Sequence, residues 1–507
     1  MTGRTSSRWP LLCAAIATFV HWRALGNGFA LDDVRLVRDN PAIVSLAHIP
    51  RLFVEPYWNI TGEHYGLFRP LTVATLAVDR AFWGAAPRGF HAVNVALHAL
   101  VAALAWLSLR RSGTHYGTAL IGGMLFAVLP IHTEAVANIA GRGELLAALF
   151  VLVAWLAHRR ASEAEPSSPW RYAAVAAYFA AILSKESAVL APLLFAADDA
   201  LRESAGPRGR LRLAAGYAMA FVAMLSLRFV ALGSHQTAEA TLALDNPLIA
   251  AGTWPRLATA VWVHLKYALL CLAPRRLVSD YSFNAIPVVN RVTDGRLLAG
   301  ALFVAALFWL GIWGWKNCRP IALAVLTWAV FFLPSANVLF PSGTIMAERL
   351  AYLPSLGFCL AIGHLGAAFA ARPGSAIAMR ARRIGVGVLA GVLVLGFAAR
   401  SYARIPDWKD NLSLALADVA TMPRSAKLQA GAGMFLADTG RVAEAEDHLR
   451  RAVEIFPGYA QMHYNLAVLL ARRGARDEAM VHLRRAIELA PENPLPRKLL
   501  DSLSINE

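Results

Sequence analysis

Asp32 and Asp33 are the residues on which chemistry is most readily built. They stand side by side in Asn27-Gly28-Phe29-Ala30-Leu31-Asp32-Asp33, just after the first apolar stretch. Adjacent carboxylates repel, and nearby lipid weakens their hydration, so such a pair is costly at a membrane edge. It is kept where a cation is bound or a proton is handled. The plain alternative is that Asp-Asp ends a helix or opens a polar loop and has no chemical role. Further ionisable groups interrupt apolar runs at His132-Thr133-Glu134, Gly141-Arg142-Gly143-Glu144, Ser184-Lys185-Glu186 and Glu348-Arg349. Taken singly, each reads equally well as a local ion pair or a snorkelling side chain. Their common placement on one side of the apolar segments favours a shared site.

The elements that must position these groups follow from composition. Of 507 residues, 57% are hydrophobic and 16% are charged, and the mean hydropathy is +0.47. Soluble domains carry about 25% charged residues, so this is a polytopic, all-α membrane protein. The net charge of +16 sits mostly in loops between apolar segments and comes with no nucleic-acid recognition motif, which excludes nucleic acid as a partner. The four cysteines are dispersed and no CxxC occurs, so neither a zinc site nor a disulfide framework is indicated.

About eleven spans are expected, at 9–26, 90–109, 117–133, 144–158, 172–184, 187–201, 213–232, 297–315, 320–339, 350–371 and 384–402. Arg110-Arg111, Arg159-Arg160, Arg202 to Arg212 and Arg372 to Arg383 then share one side, which the positive-inside rule makes cytoplasmic. The N-terminus is inside, and Asp32-Asp33 and the C-terminal region are outside. The apolar stretch 257–273 contains His264 and Lys266 and is read as re-entrant or lying flat at the interface, because a span there would invert every later loop. The first outer loop, 27–89, is too long for a simple connection; Arg69-Pro70 followed by an apolar run predicts a helix with Pro in its first turn.

The chain divides into a membrane-embedded region, 1–405, and a charged helical region, 406–507. In the latter, Gly440, Ala445, Leu449, Ala452 and Pro457 recur as Gly474, Ala479, Leu483, Ala486 and Pro491, each 34 residues on. That period and pattern read as tetratricopeptide repeats at 424–457 and 458–491, with a capping helix in 493–504.

A physical account joins the polar groups. The outer face of a membrane holds no nucleotide sugars, so a sugar arrives there on a polyprenyl phosphate. Arg69, Arg142, Lys185 and Arg349 are candidates to hold that phosphate. A hydroxyl acceptor is a poor nucleophile until a positioned base takes its proton. Asp32 or Asp33 is that base, and the other positions the acceptor or binds a divalent cation. No metal site is otherwise specified, and no nucleotide-binding glycine pattern is present. A single displacement inverts the anomeric carbon. The rival readings are a non-catalytic membrane scaffold whose repeats present an exported partner, and a transporter, which would show internal symmetry and a charged path at mid-membrane.

The chain resembles the transmembrane and tetratricopeptide repeat-containing (TMTC) O-mannosyltransferases over nearly its whole length. The resemblance rests on Gly28 to Asp33 with Asp39-Asn40-Pro41, Phe68-Arg69-Pro70-Leu71-Thr72, Gly89-Phe90-His91-Ala92-Val93-Asn94 with His98, Pro130 to Val136 with Gly141 to Leu146, Ser184-Lys185-Glu186, Asp280-Tyr281-Ser282, Ala347 to Phe358, and Asp407-Trp408. It implies a GT-C membrane fold followed by a short α-solenoid, with catalytic Asp32 and Asp33 in the first outer loop. His91, His132, Glu134, Glu144, Glu186 and Glu348 then form a supporting polar site. It implies a dolichyl- or polyprenyl-phosphate donor, with mannose the expected sugar, and a protein or peptide acceptor, Ser or Thr, that the repeats engage. The repeat array is shorter than in the animal members, so their acceptor does not carry over. Richness in Ala and Arg points to a bacterial relative, with an undecaprenyl carrier in the plasma membrane; a eukaryotic chain would lie in the endoplasmic reticulum.

Overall fold

The computed structural model describes residues 8–58, 66–163, 168–202, 207–233 and 244–504. Residues 59–65 of the expected first outer loop and the ends of the two expected regions, 1–7 and 505–507, lie outside that set. Among the described residues every regular element is helical and no β-strand occurs. This is the expected outcome for long Ala-, Leu- and Val-rich runs in lipid, where a helix satisfies its own backbone.

The membrane region is built around the Pro87–Arg111 helix. Arg8–His21, Tyr116–Val128 and Arg142–Glu163 pack against it, Ser355–Ala370 packs on Tyr116–Val128, and Trp170–Ser184 packs on Arg142–Glu163. Small residues set the closest approach. A Cβ on Gly363 would lie 2.4 Å from the Thr118 carbonyl oxygen, so Ser355–Ala370 and Tyr116–Val128 meet backbone to backbone.

The count of about eleven spans is not confirmed. Among the described residues five helices are long and apolar enough to cross a membrane: Pro87–Arg111, Ile139–Glu163, Gly209–Leu232, Gly295–Asn317 and Ala376–Lys409. A sixth results if Tyr116–Val128 and Pro130–Ala137, bent by 46°, form one broken span. The other expected spans are short helices. Arg8–His21 has 14 residues, Trp170–Ser184 has 15 and Ala191–Arg202 has 12, and at 1.5 Å per residue these reach only about 18–22 Å, against a hydrocarbon core of about 30 Å. Prolines and polar breaks shorten them. Pro130 interrupts one run, Pro334 follows the Arg319–Phe332 helix, and extended Lys185 separates two others. The 257–273 stretch lies in an unbroken 20-residue helix, Thr253–Leu272, so the re-entrant form of that expectation is not observed.

In the outer loop a helix starts at Pro70 and runs to Trp83, burying Thr72, Val73, Leu76 and Asp79 while Phe82 and Trp83 stay exposed. After Arg404 the helices Asn411–Thr421, Ala426–Asp438, Val442–Ile455, Ala460–Arg472, Arg476–Leu489 and Pro494–Ser504 stack in sequence. Gly440 and Gly474 turn the chain with φ of +80° and +83°, a left-handed conformation natural to glycine. The repeat-matched pairs Ala445 and Ala479, Leu449 and Leu483, and Ala452 and Ala486 are all buried.

Candidate active site

The acidic pair sits in a loop fastened from behind. The Gly28 amide donates to the Lys409 carbonyl at 2.8 Å, the Asn27 side-chain amide donates to the Ile405 carbonyl at 3.0 Å, and the Leu31 amide donates to Asn411 Oδ1 at 2.7 Å. A Cβ on Gly28 would stand 3.0 Å from the Lys409 oxygen, so a small residue is favoured at this crossing. Trp408 packs with Ala30, Ala137 and Leu414. His91 Nε2 lies 3.0 Å from the Gly28 carbonyl. Leu31 has φ +49°, an uncommon conformation for a leucine, and Asp32 follows it directly.

The two carboxylates are not equivalent. Asp33 is fully buried. Its Oδ1 accepts from the Ala140 amide at 2.8 Å, and Oδ2 accepts from the Ala30 amide at 3.4 Å. Burial pushes its carboxyl up to about 7, against the pull of those amides. Asp32 is half-buried, and no hydrogen bond or ion pair to it occurs among the described residues. Its charge nevertheless acts on Arg349. Burial works against that guanidinium, and Glu134, followed by Asp32, more than reverses the effect and holds it strongly charged.

Three cation–carboxylate pairs stand near one another, and Arg349 in one of them feels the Asp32 charge. Arg349 meets Glu134, whose Oε2 also accepts the Arg349 amide at 2.7 Å. Lys185 meets Glu144, and Arg69 meets Glu186 at 2.9 Å while lying over the Tyr57 ring at 5.0 Å. Burial draws the Lys185 ammonium below its ordinary range, Glu144 opposes this, and Arg69 and Arg349 add to it. Burial would raise the Glu186 carboxyl, but Arg69 outweighs it and holds the group low. The Arg349 side chain keeps 31% exposure and that of Arg69 16%. A guanidinium has five N–H donors, so pairing with one carboxylate leaves donors for a second anion.

Three other expected site residues stand elsewhere. Arg142 has no exposed side-chain surface and pairs with Asp79 at 2.6 Å. It also donates to Asn94 Oδ1 at 2.9 Å and to the Phe90 carbonyl at 3.0 Å, so it ties three helices together and is not open to a phosphate. His132 lies in a buried ring cluster with Phe126, His98 and Tyr352, with Nε2 2.7 Å from Ser355 Oγ. Glu348 turns away, accepting from the Val278 amide at 2.6 Å and the Tyr281 hydroxyl at 2.8 Å. Sequence reasoning missed Asp79, whose signal is a lone acid in the apolar Pro70–Trp83 helix, as well as Tyr57 and Asn411. Among the described residues no group of three or more His, Cys, Asp or Glu is placed to hold a metal ion. Glu134, Glu144 and Glu186 are each matched to a cation.

Residues 237–308 match the family model described as Protein O-mannosyl-transferase TMTC, DUF1736, and residues 436–503 match Tetratricopeptide repeat. The chain is similar to TMTC protein O-mannosyl-transferases. It is 28% identical over 460 residues to Protein O-mannosyl-transferase F38B6.6 of Caenorhabditis elegans, covering 89% of this chain and 63% of that protein. It is 26% identical over 483 residues to human Protein O-mannosyl-transferase TMTC3, covering 90% and 52%. The chain thus spans between half and two-thirds of the length of these relatives. Among solved structures, an archaeal oligosaccharyltransferase AglB from Archaeoglobus fulgidus aligns with a TM-score of 0.42 at 14% identity, covering 80% of this chain and 56% of that one.

The segment matched by that family model has a definite place here. From residue 244 onward, where it is described, it bridges the membrane helices and the repeats. Ser279 donates its amide to Asp418 Oδ2 at 2.8 Å, Arg404 meets Asp418 Oδ1 at 2.6 Å, and Lys427 pairs with Asp245 at 2.6 Å and with Asp280 at 3.1 Å. The Ala426 amide donates to the Phe283 carbonyl at 2.8 Å. Glu348 completes the bridge from the membrane side.

Proposed function

We propose that this chain is a GT-C glycosyltransferase that moves one sugar, mannose by its TMTC kinship, from a polyprenyl-phosphate carrier to a hydroxyl of Ser or Thr on an exported protein, at the extracytoplasmic face. The observation that carries the reading is the asymmetry of the acidic pair. Asp33 is committed to backbone amides, and Asp32 is uncommitted and acts on Arg349, one of three neighbouring paired cations.

In this reaction Asp32 takes the acceptor's hydroxyl proton as its oxygen attacks the anomeric carbon. The bond from that carbon to the phosphate oxygen breaks, and its electron pair leaves with the polyprenyl phosphate. Arg349, Arg69 and Lys185 stabilise the charge developing there. Partial burial strengthens that stabilisation, and Glu134, Glu144 and Glu186 keep the cations fixed before the donor arrives. Asp33 and His91 hold the loop, and attack from the side opposite the leaving group inverts the anomeric carbon. Arg142 and Glu144 begin the same helix that ends near Arg159 and Arg160, which supports placing the site on the face opposite the basic loops.

The test is transfer in detergent. Purified chain is given radiolabelled polyprenyl-phosphate mannose and exported proteins stripped of membrane. Label appearing on protein in an inverted linkage is the expected result. Silence with this donor and with other lipid-linked sugars would overturn the assignment.

A further inference from the structure

The cations around Asp32 are compensated, but a second group is not. Where the first helix ends, Trp22, Arg23, Leu25, Gly26 and Asn27 face Arg88, Pro406 and Lys409 across a cleft of about 450 Å³. Three cations and no carboxylate line it. Among the described residues none of the three makes an ion pair. In contrast, Arg69, Arg142, Lys185 and Arg349 each meet an acid.

The cleft has fixed parts. The Arg23 guanidinium lies 4.8 Å from the centre of the Tyr402 ring and donates to the Tyr402 carbonyl at 3.4 Å. Asn27 is buried and tied to Ile405, and the Lys409 backbone is tied to Gly28. Trp22 is 56% exposed, and an exposed indole at the end of an apolar helix marks the headgroup level of a bilayer. Gathering three uncompensated cations costs repulsion, and an anion between them removes that cost. Arginine pairs with phosphate oxygens through parallel N–H donors, with lysine adding a point charge.

We propose that this cleft binds the phosphate of a lipid headgroup at the membrane surface, as a site separate from the one around Asp32. It lies behind the acidic loop, against the backbone that carries Gly28. An anionic lipid held there bridges the first helix, the start of Pro87–Arg111 and the connection into the repeats. The inference is independent of the transfer reading, because it concerns binding alone.

The test measures binding to the full chain in detergent by its thermal midpoint. The probes are short-chain phosphatidic acid, short-chain phosphatidylcholine and inorganic phosphate. Phosphatidic acid is expected to raise the midpoint, in a manner weakened by salt, and phosphatidylcholine to leave it unchanged. A response to inorganic phosphate at similar concentration would overturn the lipid assignment in favour of free phosphate. The variant R23Q/R88Q/K409Q should bind phosphatidic acid at least about tenfold more weakly. The variant R424Q/R451Q/R484Q, which removes the same charge from exposed repeat positions, should bind like the native chain. All six side chains belong to exposed residues, and each ligand-induced shift is read against that variant's own midpoint without ligand. Unchanged binding by the cleft variant, or equal loss in both variants, would overturn the proposal.

Discussion

Replacing Asn411 with alanine removes a contact that lies more than 370 residues along the chain from Asp32 and should nevertheless weaken catalysis. The Asn411 carbonyl accepts the Leu31 amide at 2.7 Å, and Leu31 is held at φ +49°. A left-handed leucine costs roughly 1–2 kcal/mol, and a neutral hydrogen bond contributes about 0.5–1.5 kcal/mol net. Leu31 is partly exposed, so water replaces some of that bond and about 1 kcal/mol is at stake. With 1.4 kcal/mol equal to a factor of ten, Asn411→Ala should lower kcat about three- to tenfold. The donor KM should stay within about twofold, because no cation moves. Amide exchange at residues 29–33 should quicken by a similar factor. Leu31→Gly supplies the conformation without strain, so in that background Asn411→Ala should do less. The assay is the four-member cycle, read by initial transfer rates and by exchange. Strictly additive effects, or native exchange in the Asn411→Ala variant, would refute the argument that this bond sets the loop.

Three other outcomes follow from the same geometry. Arg142→Met leaves Asp79 buried without its partner and should destabilise the chain by about 3–5 kcal/mol, read as a lower thermal midpoint with the donor KM unchanged in the protein that still folds. Asp418→Ala leaves Arg404 with Asp407 as its one remaining acid and frees the Ser279 amide, and should cost less than the Arg142 change, about 2–3 kcal/mol; limited proteolysis would report it as faster cleavage near 405–411. Burial holds the Asp33 carboxyl at about 7 against an ordinary 3.8, so the folded state binds this proton more tightly than the unfolded one. Its contribution is full below about 4 and is lost as pH rises through about 7. The midpoint of the native chain relative to Asp33→Asn, which cannot titrate, should therefore fall between about pH 4 and 7 and level off above.

Much of this arrangement is legible in the residues themselves. The 34-residue step from Gly440 to Gly474 gives the repeat turns, and Pro70 gives the start of the outer-loop helix. The charged groups at Glu134, Glu144, Lys185, Glu186 and Arg349 do converge. Their partners are not legible, because ion pairs such as Arg69 with Glu186 join residues 117 positions apart, and spacing along one chain carries no such information. The count of about eleven spans is not confirmed, for a physical reason. Apolar composition marks burial as well as lipid contact, and Tyr116–Val128 and Ser355–Ala370 are short, largely buried helices of the core. Asp32 and Asp33 look identical in sequence; they differ because Asp33 is fully buried and Ala140 and Ala30 turn their amides toward it.

The comparison of Asp32→Asn with Asp33→Asn in single-turnover transfer from polyprenyl-phosphate mannose tests the central claim most directly. An asparagine at 33 still offers an oxygen to the Ala140 amide, so the loop should hold and the rate fall by no more than about tenfold. An asparagine at 32 cannot take the acceptor's proton, and the rate should fall by about 10²–10⁴ with the thermal midpoint unchanged. Transfer that survives Asp32→Asn and disappears in Asp33→Asn would contradict the assignment of Asp32 as the base.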